Sequence, residues 1–401
     1  MRKWSPNLSR DILSHWLDLM SRNGWIAREQ ILGEEARSRV PSEFVAQSPS
    51  AANPPTFFLV LSDIAAKIDT RVPYDGLQED LEFLKAAWPR LHAWYSWYNR
   101  TQAGPLPGSF RWRGRDSETD LELNPKTLTS GLDDYPRASH PSEIERHVDL
   151  RCWMALASRA MARISLAVNA PLKHQTLYEI TATRLEDYGE LKNLHWDKRN
   201  RIFADWGNDT IDVELISYDD NFGQQKWRRV VNGSIPCLKY VSHVGYVTFF
   251  PLALQLIPKD APELEILLDL LASADHLWTE YGIRSLSSKS SIYRRQNTPH
   301  DPPYWRSAVW INMNYLLLRA LQAYAAGNGP AATKSRYLAA QLRCNLIKNI
   351  AHQYNSKGFV FENYDDLTGE GKGCHPFTGW TALLGLISMD IGEQSDLNCS
   401  I

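Results

Sequence analysis

The chain has little of what marks several large classes of protein. Its formal net charge is −2, from 44 Lys and Arg against 46 Asp and Glu, and no block of like charge runs along it. That balance argues against a nucleic-acid or membrane-surface partner. Cysteine is scarce: Cys152, Cys237, Cys344, Cys374 and Cys399 are widely scattered, with no C-x-x-C pair. A zinc site is therefore not expected. An odd cysteine count leaves at least one thiol unpaired and the redox compartment undecided. No run of 18 apolar residues occurs, and the opening Met1-Arg2-Lys3-Trp4-Ser5-Pro6 has no apolar stretch behind it. Neither a signal peptide nor a membrane span is read, and no membrane contact is expected from this chain itself. Low-complexity linkers and internal repeats are lacking too.

What remains is ordinary globular composition: 401 residues, 43% apolar and 22% charged, enough for one large or two ordinary domains. The 15 Trp and 17 Tyr are many for this length. Most fill core, but an indole also makes a platform for the apolar face of a sugar while its N–H stays free to donate. Trp25, Trp112, Trp196, Trp206, Trp305, Trp310 and Trp380 stand beside charged or amide residues and are the ones to place near a ligand. Asn-x-Ser/Thr sequons at Asn7, Asn99, Asn208, Asn232 and Asn398 permit a secretory location, though the pattern arises often by chance.

Helical periodicity dominates. Leu150, Trp153, Ala157, Met161, Ile164 and Val168 recur at three- and four-residue steps, as do Val309, Met313, Leu316, Ala320 and Tyr324. Similar stripes near 9–20, 56–68, 77–98, 173–190, 263–280, 333–353 and 377–390 bring the expectation to about nine helices. Three long connections, 21–55, 104–142 and 195–250, carry Trp, Arg and Asp instead of linker composition, and long loops in compact domains are usually functional. The third holds a small β excursion near 210–250, with Val230-Val231-Asn232-Gly233-Ser234 as its hairpin turn. Helices in sequence with such loops after alternate ones suggest an all-α fold, an (α/α)6 toroid whose inner helices aim their loops at one mouth. A generic helical bundle or α-solenoid fits the periodicity equally well.

Two acid-bearing loops carry the chemistry. Thr129-Ser130-Gly131-Leu132-Asp133-Asp134-Tyr135-Pro136-Arg137 sets two acids on a Gly-led turn, close after the Trp- and Arg-rich stretch Phe110–Asp116. Val360-Phe361-Glu362-Asn363-Tyr364-Asp365 places a lone carboxylate among aromatics, with Gly358, Gly369, Gly371 and Gly373 nearby. A pair of carboxylates in such loops suits glycosidic bond cleavage, which needs a proton donor and a partner. A turn or N-cap role, or half of a metal site, is the competing reading for Asp133 and Asp134. Glu145 and Asp149 suit the positive end of a helix dipole, with Asp149 also able to pair with Arg146. His147 and His375 more often make structural hydrogen bonds than do chemistry.

These stretches resemble the catalytic domain of glycoside hydrolase family 63, the mannosyl-oligosaccharide glucosidases. The matching residues are Gly24-Trp25-Ile26 with Arg28–Gly33, Ala52–Thr56, Ser130–Arg137, Glu145–Trp153, Trp305–Tyr315 and Gly373–Thr381, in order along nearly the whole chain. The string Glu145-Arg146-His147-Val148-Asp149-Leu150 is the most specific of them. The resemblance implies one (α/α)6 catalytic domain over 1–401, removing the terminal α-1,2-linked glucose of the triglucosylated N-glycan precursor with inversion and with no metal or organic cofactor. Asp133 falls at the family's general acid and Glu362 at its general base, which inversion would set roughly 6.5–9.5 Å apart. Arg28, Glu29, Trp112, Arg113, Asp116, Trp305 and Trp380 are expected to line the same cleft and bind the sugar. The partner implied is a glucosylated high-mannose N-glycan on a nascent glycoprotein, and the location is the lumenal side of the endoplasmic reticulum membrane. Enzymes of this kind carry a membrane anchor and an N-terminal β-sandwich domain. This chain is expected to lack both, and on the nine-helix count the toroid's first helices too. The chain alone is therefore expected to stay soluble and unglycosylated. Another inverting (α/α)6 oligosaccharidase and a non-catalytic glycan-binding fragment are the alternative readings.

Overall fold

The computed structural model describes residues 2–389, so sequon Asn398 and Cys399 lie outside the described residues. The chain divides into two compact units. The first comprises the described residues up to Arg115, then Thr127–Leu132 and Glu143–Leu194; the second comprises Asp116–Lys126, Asp133–Ser142 and the described residues from His195 onward.

The first unit is helical: α1 (Pro6–Asp18), α2 (Gly33–Arg39), α3 (Ser42–Val45), α4 (Phe57–Asp69), α5 (Leu77–Thr101), α6 (Val148–Ala167), α7 (Leu172–Glu186) and α8 (Tyr188–His195). Helix α6 is its centre. Residues on every side of it are buried, among them Leu150, Trp153, Met154, Ala157, Met161 and Ile164, which is the pattern of a helix packed all round. Helices α4, α5 and α7 lie against it. Helix α5 adds an aromatic face: Trp94 stacks on Phe58 of α4 with centroids 4.8 Å apart, and Tyr98 meets Trp94 edge-on at 5.7 Å. Helix α1 is started by Ser5, whose hydroxyl accepts the Leu8 N–H, and by Pro6 at the first helical position. It is tied to α5 by Arg2 and Arg10, both paired with the buried Asp80.

The second unit mixes helices with short antiparallel pairs. Its strands are β1 (Trp196–Asp197), β2 (Ile202–Phe203), β3 (Trp206–Asp209), β4 (Val213–Asp219), β5 (Gln225–Val231), β6 (Cys237–Tyr240), β7 (Trp278–Thr279), β8 (Gly282–Ile283), β9 (Asn363–Tyr364) and β10 (Gly371–Lys372). They pair as β1–β2, β3–β6, β4–β5, β7–β8 and β9–β10. Its helices are α9 (Phe250–Ala253), α10 (Pro262–Ala272), α11 (Ile311–Ala325), α12 (Pro330–Lys357) and α13 (Leu384–Met389). The fold is thus mostly helical with small sheets, not all-α.

Each of the nine apolar stripes contains a helix, although α11 begins only at Ile311 and the described part of the last stripe holds a 3-10 turn, Trp380–Leu383, followed by α13. The short helices α2, α3, α8 and α9 were not expected. The β excursion lies where composition put it, but its hairpin turn does not. Strands β4 and β5 turn at Asp220–Gln224, where the Asp220 carboxylate accepts the Phe222 and Gln224 N–H groups and Gly223 takes a left-handed φ of 73°. Asn232-Gly233-Ser234 instead closes on Asp212 beyond the end of β5, on the way to β6. The Asx turn at Asp220 competed successfully for the hairpin because its side chain supplies the capping acceptor.

Candidate active site

Glu362 sits just ahead of β9, on a strand fragment fixed from both sides. The next residues are anchored by paired hydrogen bonds between Tyr364 and Val309, 2.8 and 3.0 Å long, and Val309 is bridged in turn to Arg284. On the other side the Glu362 N–H donates to the Cys374 carbonyl at 3.1 Å, and the Trp380 indole donates to the Glu362 carbonyl at 2.7 Å. The carboxylate is half-buried. Its Oε1 accepts the Tyr304 hydroxyl, and its Oε2 accepts the Cys374 N–H at 3.0 Å. No Lys, Arg or His among the described residues pairs with it.

Neighbouring acids differ sharply. Asp365 accepts from Arg294 and Lys372, each at 2.8 Å, and from the N–H groups of Leu367 and Thr368. Burial works to raise its pKa, but Lys372 and the two amides outweigh this and hold it well below the usual carboxylate range. Asp366 is buried; the Tyr293 hydroxyl donates to it and Arg284 stands 3.3 Å away, yet desolvation still pushes its pKa up.

Asp133 is half-buried and Asp134 is buried. Asp134 is committed to structure: its Oδ1 accepts the Trp305 N–H at 2.6 Å, its Oδ2 the Tyr304 N–H at 3.1 Å, and its carbonyl the Arg306 side chain at 2.8 Å. Both oxygens are therefore occupied by backbone amides, which disfavours a metal half-site there. Burial lowers the Arg306 pKa to about 10, even though the Asp134 carboxylate 3.6 Å away favours its charge. The same segment, Tyr304–Trp305, thus reaches the acid-bearing turn through its backbone and Glu362 through its side chain. Sequence reasoning missed Tyr304 although it directly precedes the recognised Trp305 motif.

Aromatic rings wall this part of the second unit. Trp305 stacks on Trp310 with centroids 3.7 Å apart and planes 9° from parallel; Tyr304 meets Trp310 edge-on at 4.6 Å, and Trp380 lies 5.7 Å from Trp310. Trp305 is buried under that stack, whereas Trp380 is half-buried. Of the candidates in this unit, Glu362, Trp305 and Trp380 are brought together with the Asp133–Asp134 turn. Asp116 is exposed and caps its own turn by accepting the Glu118 N–H; it shares no hydrogen bond with them.

The remaining candidates belong to the first unit. Arg28 and Glu29 are exposed, Arg28 donating to the Leu128 carbonyl at 2.9 Å and the Glu29 backbone held by Gln47. Trp112 is fully buried and its indole donates to both Asp149 oxygens at 3.1 Å, so its ring offers no open face. The Arg113 guanidinium donates to the carbonyls of Thr101 and Ala103 and to Glu143. The specific string Glu145–Leu150 explains itself here. Glu145 is buried and ion-paired with Arg115, and the His147 ring accepts the Trp112 N–H at 2.9 Å. Helix α6 begins at Val148, so Glu145 lies ahead of the helix and not on its first turn; Asp149 takes the Trp112 indole.

A family model described as the glycosyl hydrolase family 63 C-terminal domain matches residues 1–390. Over 96% of its length the chain is 46% identical to a mannosyl-oligosaccharide glucosidase of Arabidopsis thaliana and 43% identical to an alpha-glucosidase 2 of the same plant, covering 46% and 49% of those proteins. The chain thus spans about half the length of the curated relatives it matches. Among solved structures, a mannosylglycerate hydrolase of family 63 from Thermus thermophilus, in complex with glucose, aligns with a TM-score of 0.60 and 17% identity, over 94% of this chain and 86% of that one. At that identity the likeness speaks for the fold alone. The chain belongs to glycoside hydrolase family 63.

Proposed function

We propose that the chain is the catalytic part of an inverting exo-α-1,2-glucosidase that removes the terminal glucose from the triglucosylated N-glycan precursor. The observation that carries this reading is a carboxylate that no described cation neutralises, Glu362, joined through Tyr304 and Trp305 to the acid that follows Asp133. Asp133 is the general acid: it gives its proton to the glycosidic oxygen as the bond to the anomeric carbon breaks. Glu362 is the general base: it takes a proton from water as that water attacks the same carbon from the opposite face, releasing β-glucose. A base must accept a proton, and a carboxylate already neutralised by Lys or Arg, as Asp365 is, does so poorly.

Trp380, half-buried beside Glu362, is the proposed ring platform, with Trp305 behind it as support through Trp310. Arg28, Glu29 and Asp116 are proposed to meet sugar hydroxyls, a role resting on the family resemblance. Trp112 and Arg113 are assigned to support, because their polar groups are already engaged. Within each unit, the packed pairs α6–α7 and α11–α12 joined by short connections support the (α/α)6 arrangement the family implies. The names of the relatives support a glycan substrate and, with it, action in the lumen of the endoplasmic reticulum.

The test is glucose release from a defined triglucosylated glycan, by this chain and by the chain joined to an N-terminal β-sandwich domain. Glucose release in either form supports the reading. Binding without release in both would make the chain a glycan-binding module.

A further inference from the structure

We propose that Tyr304 and Gly373 are positioning residues that hold Glu362 in a two-point clamp; this rests on reading Glu362 as the base. Each oxygen of that carboxylate has one neutral donor: the Tyr304 hydroxyl on Oε1 and the Cys374 N–H on Oε2, the latter at 3.0 Å. Rotation of the carboxylate about its own axis would break both, so its plane is set. Each oxygen keeps a further lone pair, and with no cation at hand that lone pair stays available to a water.

The second donor depends on residue 373 having no side chain. Gly373 has a φ of 74°, a conformation L side chains rarely adopt, and a Cβ built there would collide with Glu362 Oε2 and stand 2.9 Å from Asn363 Nδ2. The turn it permits also lets Cys374 and Glu362 bond reciprocally, since the Cys374 carbonyl accepts the Glu362 N–H at 3.1 Å. The first donor is aimed by Asp134, whose carboxylate fixes the Tyr304 N–H. The acid-bearing turn and the base are therefore set by one chain of bonds. A group held this way contributes through orientation, and a misplacement of about 1 Å can cost about 100-fold in rate.

The experiment compares the triglucosylated glycan with α-glucosyl fluoride, whose leaving group departs without a proton. Asp133→Asn should lose turnover of the glycan but keep much of it on the fluoride, while Glu362→Gln should lose both. Tyr304→Phe and Gly373→Ala should follow the base: kcat falls roughly 10- to 100-fold on both substrates, KM stays within about twofold, and the melting temperature of Tyr304→Phe is unchanged. Should Tyr304→Phe keep wild-type kcat on the fluoride, or lose activity only through a higher KM or a lower melting temperature while Glu362→Gln is inactive, the clamp is refuted. Should Glu362→Gln itself turn over the fluoride, the reading of Glu362 as base has failed, and the clamp with it.

Discussion

Asp134 and Glu362 are both carboxylates in aromatic surroundings, yet they face different donors. Asp134 binds two backbone amides and stands 3.6 Å from the buried Arg306, whereas Glu362 meets one hydroxyl and one amide. Removing the Asp134 side chain would leave a buried guanidinium facing no anion there, so Asp134→Ala should destabilise the fold by about 3–5 kcal/mol, measured by denaturant unfolding. Glu362→Gln keeps the volume and the acceptor on one side, and should leave the unfolding midpoint nearly unchanged while abolishing turnover. The same holds for Asp133→Asn on the glycan. Near wild-type activity in either variant would remove that residue from the mechanism. The surroundings of Glu362 were legible in the sequence because they are local: Phe361, Tyr364 and the flanking glycines sit in one short stretch. The role of Asp134 was not, since its partners Tyr304 to Arg306 lie some 170 residues away. Trp112 and Arg113 were read from loop location, polar-aromatic adjacency and family resemblance, none of which shows that the Trp112 N–H is taken by Asp149.

At the scale of elements, the helices within the nine apolar stripes were legible from period alone, but the short helices α2, α3, α8 and α9 were not, and the two-residue strands β1, β2, β7, β8, β9 and β10, which pair locally across short turns, are too short to show a period. Two element contacts yield tests. The loop before α2 packs on α5 at Gly24, where φ is 96° and an added Cβ would collide with the Ala93 carbonyl. Gly24→Ala should therefore cost about 3 kcal/mol or more, seen as a lower unfolding midpoint. The docking of α1 on α5 depends on Asp80. Burial works to raise its pKa, but hydrogen bonds from Arg2, Tyr74 and Arg10 prevail and lower it. A carboxyl with a depressed folded pKa contributes stability that is present above its unfolded pKa of about 3.9 and is lost as pH falls below that. Wild-type protein should accordingly lose stability as pH falls below about 4, and Asp80→Asn should flatten that slope. An unchanged slope would show that the pairing of Asp80 with Arg2 and Arg10 does not carry the acid sensitivity.

At the scale of the whole molecule, the chain crosses between its two units several times, and the second unit takes Asp116–Lys126 and Asp133–Ser142 from the first half of the sequence. Those segments supply Asn124, bonded to Arg137, and Arg137, ion-paired with buried Asp205 at 2.8 Å, as well as Asp134. Residues 195–401 expressed alone should thus fail to give a cooperative unfolding transition, while the same piece carrying 116–142 should recover structure. Sequence periodicity could not show this division, because helices of both units share one apolar spacing. The proposed pairing of Asp133 as acid with Glu362 as base requires inversion at the anomeric carbon. Proton NMR of the glucose first released from a triglucosylated glycan, by the chain joined to an N-terminal β-sandwich domain, reads that stereochemistry. The β-anomer should appear first and then mutarotate; α-glucose appearing first would overturn the proposed pairing.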